Sequence, residues 1–265
     1  MKLNPLYLDG QFVTTDTSIP VRNPATGETI AQMATCGRDR VAQALADAQA
    51  AFPSWRNVVG RTRGDFLLKI AAEVERRKEE FARTITLENG KPLAQSAGEV
   101  AMTIDHLRWF AEEARRGYGR IIPPQADGKR HLVIKTPIGV VAAITPFNFP
   151  GMIPLWFLPY AIACGNCCIV KPSERVPLTM RRLAELLLET GLPAGVVSVV
   201  NGGKDAVDAL IEHPSVRAIS FVGSSPVAQY VYARSAAHGK RVQCQGGAKN
   251  PILVMPDADL EMTVK

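Results

Sequence analysis

Apolar positions recur along this chain at two different spacings, and the change from one to the other divides it. Residues 6–13 alternate apolar positions about Asp9-Gly10, which predicts a short β-hairpin. Asn23-Pro24-Ala25-Thr26-Gly27 reads as a turn, with a strand expected over 30–33. Helical spacing then takes over. Residues 41–52 are rich in alanine, and Phe66, Ile70 and Val74 recur on one helical face ahead of a charged outer face. A further helix is expected over 97–116, with Leu107, Phe110 and Ala114 on one side. Residues 120–135 read as two extended pieces joined around Asp127-Gly128.

From Gly139 onward short apolar runs alternate with helical ones. Strands are expected over 140–144, 168–170, 196–200, 218–222 and around Val242; helices are expected over 152–164, 178–190, 205–212 and 227–236. Strands separated by helices of this length make βαβ units, so the fold class is α/β with a parallel, doubly wound, Rossmann-like sheet. Such sheets bind ligands outside the carboxyl ends of their strands. The expected organisation is an N-terminal hairpin and helices over 1–118, a β-hairpin arm over 119–138, a nucleotide-binding core over 139–247 and the start of another domain over 248–265.

Composition narrows the function classes. The chain has 265 residues, 46% hydrophobic and 21% charged, enough to bury a sizeable core. The net charge of +6 is scattered, and its densest cluster, Glu75-Arg76-Arg77-Lys78-Glu79-Glu80, has acids on both sides. That is the solvated face of a helix, and nucleic acid is not an expected partner. Met1 to Gly10 lacks the basic and apolar regions of a signal peptide, and no apolar run is long enough to span a bilayer, so a cytoplasmic location without membrane contact is expected. The cysteines are Cys36, Cys164, Cys167, Cys168 and Cys244. Cys164-x-x-Cys167 has nominal zinc spacing, but no second Cys/His pair completes a site. Free thiols packed as small hydrophobes are expected, and no metal ligands.

The glycine fingerprint of a dinucleotide site, G-x-G-x-x-G after the first strand of the core, is absent; Thr145-Pro146-Phe147-Asn148-Phe149-Pro150 stands there instead. The fourth strand ends Phe221-Val222-Gly223-Ser224-Ser225-Pro226. Gly223 permits close backbone approach, a serine can cap the coming helix and Pro226 suits its first turn. The helix N-terminus could receive a pyrophosphate, or be an ordinary capped helix. Lys171-Pro172-Ser173-Glu174-Arg175 follows the second strand. Glu174 could accept from both hydroxyls of a ribose and repel a 2′-phosphate, favouring NAD over NADP; a loop ion pair is the alternative. Asn148 could donate its amide to an oxyanion or merely begin a turn.

Taken as a set these residues resemble the aldehyde dehydrogenase family. Thr145-Pro-Phe147-Asn148-Phe149-Pro, Gly165-Asn166, Lys171-Pro-Ser-Glu174, Phe221-Val-Gly223-Ser224 and Gly246-Gly247-Ala-Lys249-Asn250-Pro251 stand in the family's order and spacing, over nearly the whole chain. The resemblance implies an NAD-dependent enzyme acting on an aldehyde, with Asn148 stabilising the oxyanion. It implies a cofactor-binding set of Thr145, Phe147, Lys171, Ser173, Glu174, Arg175, Gly223, Ser224 and Gly246. Lys171 and Glu174 would hold the adenosine ribose, and Ser224 would meet the pyrophosphate.

Within the family, Lys171-Pro-Ser-Glu-Arg175, His238-Gly-Lys-Arg-Val and Gly247-Ala-Lys-Asn250 look like the CoA-acylating methylmalonate-semialdehyde dehydrogenases, while Leu87-Glu-Asn-Gly-Lys-Pro and Trp109-Phe-Ala-Glu-Glu look like succinate-semialdehyde dehydrogenases. Where hydrolytic members carry a glutamate base, Gln245 stands here, or Cys244 if the extra alanine shifts the register. Neither is a carboxylate base, which favours CoA as acyl acceptor. The arginine expected for a substrate carboxylate aligns with Met102. The nucleophilic cysteine is expected beyond Lys265, none of the present cysteines being suitably placed. The 120–135 hairpin resembles the family's oligomerisation arm, implying a homo-oligomer for the full-length protein. A second reading is a non-catalytic NAD-binding or interaction fragment.

Overall fold

The computed structural model describes residues 3–264. In chain order it runs β1 (Leu3–Asn4), β2 (Leu6–Leu8), β3 (Gln11–Val13), β4 (Ser18–Arg22), β5 (Thr29–Ala34), α1 (Arg38–Trp55), α2 (Gly60–Arg76), α3 (Lys78–Asn89), α4 (Leu93–Glu113), β6 (Arg120–Ile122) and β7 (His131–Val133). It continues β8 (Val140–Ile144), α5 (Pro154–Ala163), β9 (Cys167–Lys171), α6 (Leu178–Glu189), β10 (Val197–Val199), α7 (Lys204–Glu212), β11 (Val216–Val222), α8 (Ser225–Ala237), β12 (Arg241–Gln245) and α9 (Leu260–Val264).

The core lies about a seven-stranded sheet ordered β12-β11-β8-β9-β10-β2-β3. Strands β8 to β12 pair in parallel, as the alternation of strands and helices predicts. Every residue of β9 is buried, as befits a strand covered on both faces. From β8 the chain winds outward through β9 and β10, then returns to the other side of β8 to place β11 and β12. The carboxyl ends of β8 and β11 therefore flank the point where winding reverses, which is where an open α/β sheet forms its ligand crevice.

The N-terminal hairpin forms as its sequence predicts, with Asp9 (φ 47°) and Gly10 (φ 72°) both in the left-handed region of a tight turn. It also extends the main sheet: β2 pairs antiparallel with β10. That pairing was not legible locally, since it joins residues 192 positions apart (Tyr7 and Val199). β4 was missed as well. Pro20 argues against a strand, but β4 lies at the edge of the β1-β5-β4 sheet, where a missing N–H is tolerated. α4 begins at Leu93 rather than 97, because Pro92 opens it and its first turn is exposed, leaving no apolar face to read. α5 begins at Pro154 rather than 152, Met152 and Ile153 belonging to the preceding turn.

Two regions stand outside this core. β6 and β7 form the expected hairpin, fully exposed on both strands, with Ile121 83% accessible. After β12 the chain runs on with Ile252, Leu253, Val254 and Met255 exposed. No helix among the described residues is long and apolar enough to cross a membrane.

Candidate functional site

The carboxyl rim of β8, β9 and β11 opens into one cavity of about 950 Å³. Its lining includes Asn148 together with Thr145, Phe147, Lys171, Ser173, Glu174, Arg175, Gly223, Ser224 and Gly246. Every candidate site residue read from the sequence is thus brought to one place. The wall is completed by residues the sequence reading passed over, among them Lys204, Val207 and Tyr230.

Lys171 is the last residue of β9 and only 3% exposed. Its Nζ donates to Glu174 Oε1 (3.0 Å) and to the Gly202 carbonyl (3.1 Å). Burial lowers its pKa, an effect that Glu174 opposes. An ammonium buried this deeply needs oxygen partners, and its two protein acceptors leave a third N–H for a ligand. The neighbouring backbone is tied to the adjacent strand by the Thr145 N–H, which donates to the Lys171 carbonyl at 3.1 Å. Thr145 Oγ1 is itself buried without a protein partner. Ser173 and Arg175 have local partners: Ser173 Oγ accepts from the Arg175 N–H, and the Arg175 guanidinium lies 5.2 Å from the centre of the Phe147 ring.

Across the cavity, β11 ends at Val222 and α8 begins at Ser225. Ser224 occupies the N-cap position but its side chain makes no capping hydrogen bond, against the expectation that a serine caps α8. Ser225 does not substitute for it, since its Oγ accepts from the Gly247 N–H at 3.0 Å. The first-turn amides of α8 are therefore left without a side-chain cap at a positive dipole end that faces the cavity. A Cβ on Gly223 would meet the Phe221 ring at 2.5 Å, so bulk is excluded there. A buried lysine with an adjacent carboxylate on one side and an uncapped helix start on the other match the hydroxyls and the anionic linkage of a dinucleotide.

Asn148 lies in the 145–152 loop between β8 and α5, is exposed and belongs to the cavity lining. The loop is held from outside by residues on or beside α3 and α4. Asn89 Nδ2 donates to the Phe147 carbonyl (2.7 Å) and Lys91 Nζ to the Asn148 carbonyl (2.7 Å). Lys91 also donates to Glu99 Oε2 (2.6 Å) and sits 4.1 Å from the centre of the Phe149 ring. Glu99, whose side chain is fully buried, accepts at Oε1 from the Gly151 N–H (2.7 Å) and the Met152 N–H (3.1 Å). Sequence reasoning used Asn89-Gly-Lys91 only as a subfamily likeness. The signal it lacked was the buried glutamate two turns into α4, which amphipathic spacing would place on the apolar face.

A second buried glutamate, Glu88, accepts from the Leu178 N–H (2.6 Å), the Thr179 N–H (2.9 Å) and the Thr179 hydroxyl, serving as the N-terminal partner of α6. Burial pushes its carboxyl up to about 7 despite those donors. Within the cavity lining, Lys204 Nζ meets Asp208 Oδ2 (2.5 Å) and Tyr230 Oη (2.9 Å). The cysteines are free thiols, and none lines the cavity. Burial pushes Cys36 up to about 11 and Cys167 to about 12, and raises the others too. Gln245 is exposed at the end of β12, with Cys244 half-buried beside it. No cluster of metal-ligating side chains occurs among the described residues.

Comparison with known proteins bears on the whole arrangement. A malonate-semialdehyde dehydrogenase of Geobacillus kaustophilus is 47% identical over 261 residues, which is 98% of this chain and 54% of that protein. The solved structure of a methylmalonate-semialdehyde dehydrogenase from Oceanimonas doudoroffii superposes with a TM-score of 0.96 at 43% identity, covering 100% of this chain and 54% of its own. A betaine aldehyde dehydrogenase from Staphylococcus aureus, solved in complex with NAD+, gives 0.95 at 30% identity, with 98% and 54% covered. The chain spans about half the length of these relatives. Residues 12–265 match the family model described as the aldehyde dehydrogenase family, and the chain belongs to that family.

Proposed function

We propose that this chain binds NAD across the rim of its parallel sheet and forms the cofactor-holding part of an enzyme that oxidises an aldehyde. The observation that carries the reading is the buried Lys171 ammonium, paired with Glu174 and opening onto the same cavity as the uncapped start of α8. Lys171 and Glu174 would hold the adenosine ribose, Ser224 and the α8 amides the pyrophosphate, with Thr145, Phe147, Ser173, Arg175, Gly223 and Gly246 shaping the wall. When bound, NAD supplies the acceptor for hydride from the substrate carbon. Asn148 would donate its side-chain amide to the oxyanion that forms as a nucleophile adds to the aldehyde carbonyl.

The names of the relatives point to a semialdehyde such as malonate or methylmalonate semialdehyde. Met102 stands where an arginine for the substrate carboxylate is expected, so recognition of that carboxylate would fall to other groups. With neither Gln245 nor Cys244 able to act as a carboxylate base, transfer of the acyl group to CoA is favoured over hydrolysis. The exposed β6–β7 hairpin is proposed as an arm that pairs between copies.

Calorimetric titration with NAD tests the reading. The chain should bind NAD, and Lys171→Met should weaken binding by about tenfold or more, the worth of a charge-assisted hydrogen bond. Glu174→Gln should narrow the preference for NAD over NADP. Absence of any heat with NAD would sink the assignment.

A further inference from the structure

The side chains that hold the Asn148 loop all come from one short stretch outside the nucleotide-binding core. We propose that Lys91 and Glu99 are positioning residues, a buried ion pair whose task is to fix the loop carrying Asn148 against the cavity. This rests on the reading of Asn148 as the oxyanion donor; neither residue lines the cavity.

The geometry shows a division of labour. Glu99 has no exposed side-chain area and Lys91 only 11%, so both charges have lost most of their water. A buried charge persists only when its lone pairs or protons are matched. Here the matching groups are the loop's own backbone. One Glu99 oxygen takes the Gly151 and Met152 amides, the other takes Lys91, and Lys91 passes the link on to the Asn148 carbonyl and the face of the Phe149 ring. The loop is thereby gripped at a carbonyl on one side of Pro150 and at two amides on the other. Asn89 adds a hold on the Phe147 carbonyl. The packing leaves little slack: a Cβ on Gly151 would come within 3.3 Å of both Glu99 Oε1 and Thr103 Oγ1.

A donor aimed at a developing charge is useful only if its direction is fixed beforehand. The Asn148 side chain is exposed and makes no hydrogen bond of its own that would fix it, so its orientation depends on the backbone beneath it. That backbone is set by the Lys91–Glu99 pair. The pair also stands apart from the Lys171–Glu174 rim, so the two can be perturbed separately.

The test uses the whole chain, with Lys91→Met, Lys91→Arg and Glu99→Gln variants. Exchange of the Gly151 and Met152 amides is followed by NMR together with the Asn148 side-chain amide resonance, identified by its loss in Asn148→Ala. Lys91→Met should speed exchange at both amides by about tenfold or more and shift or broaden the Asn148 signal, while NAD affinity stays within about twofold. Lys91→Arg should restore both signatures, since a guanidinium can bridge the same oxygens. Glu99→Gln should fall between them; if it does not fold, Lys91→Met still decides the matter. Unchanged exchange and an unchanged Asn148 signal in Lys91→Met would overturn the proposal. Failure of the native chain to bind NAD would instead count against the functional reading and leave the loop result standing on its own.

Discussion

Two loops at the same rim are built in opposite ways. The 171–176 loop is held mostly by its own residues: Lys171 meets Glu174 three positions on as well as the Gly202 carbonyl, and Ser173 Oγ takes the Arg175 N–H. The 145–152 loop makes almost no use of itself and is held by Asn89, Lys91 and Glu99, from 52 to 58 positions away. The first loop presents charge to a ligand, and a locally tied pair suffices for that. The second carries a neutral amide whose value depends on its direction, and it is gripped from outside by fully buried charge. Local ties can be read from spacing; remote ties cannot, because nothing in Asn148 or its neighbours names the partner.

The contrast has its largest consequence in stability. Glu99→Leu strips Lys91 of its counter-charge and leaves two loop amides unpaired in a buried site. Breaking a buried pair in this way should cost about 3–5 kcal/mol in urea unfolding. Glu174→Gln replaces a carboxylate that is 40% exposed and keeps a side-chain oxygen for the Lys171 ammonium, so it should cost under about 1 kcal/mol. Equal losses from the two substitutions would show that the loops are not held differently.

The same logic separates what was legible from what was not. The alternation of 140–144, 168–170, 196–200 and 218–222 with helices carried the parallel sheet, because a strand covered on both faces must be continuously apolar. Lys171, Glu174, Gly223 and Ser224 were legible because each stands at or just beyond the carboxyl end of a strand, where such sheets bind ligands. Glu88 and Glu99 were not, since a glutamate on a helix is ordinarily a solvated residue. Helical spacing puts Glu99 on the apolar face of α4, but the backbone amides from α6 and the 145–152 loop that satisfy these two carboxylates are named by no local pattern.

Glu88 offers a sharper version of the comparison, through pH. Its carboxyl is raised from 4.5 to about 7 chiefly by burial, with the Thr179 and Leu178 donors pulling the other way. A carboxyl with a raised folded-state pKa holds its proton more tightly folded than unfolded. Its contribution is therefore fully present below about 4.5 and is lost as pH climbs through about 7. Glu88→Gln lacks that titration. The native chain should lose on the order of 2 kcal/mol relative to Glu88→Gln between pH 5 and pH 8 in parallel urea titrations. A gap that stays constant across that range would mean the three donors, not burial, set its ionisation.

The smallest effect is the most discriminating for the rim. A serine at a helix N-cap ordinarily loses about 1 kcal/mol on conversion to alanine, because its oxygen satisfies a first-turn amide. Ser224 makes no such bond, so Ser224→Ala should change unfolding stability by less than about 0.5 kcal/mol. If the hydroxyl and the free amides of α8 instead serve a pyrophosphate, the same substitution should weaken NAD binding severalfold, the loss of one hydrogen bond of about 1 kcal/mol. A variant that binds NAD normally but unfolds more readily would reverse the assignment: the serine would then cap α8 in solution, and the helix start would have no orphan amides to offer an anion. Normal stability with weakened binding is the outcome that separates a helix start kept open for a ligand from one merely left uncapped.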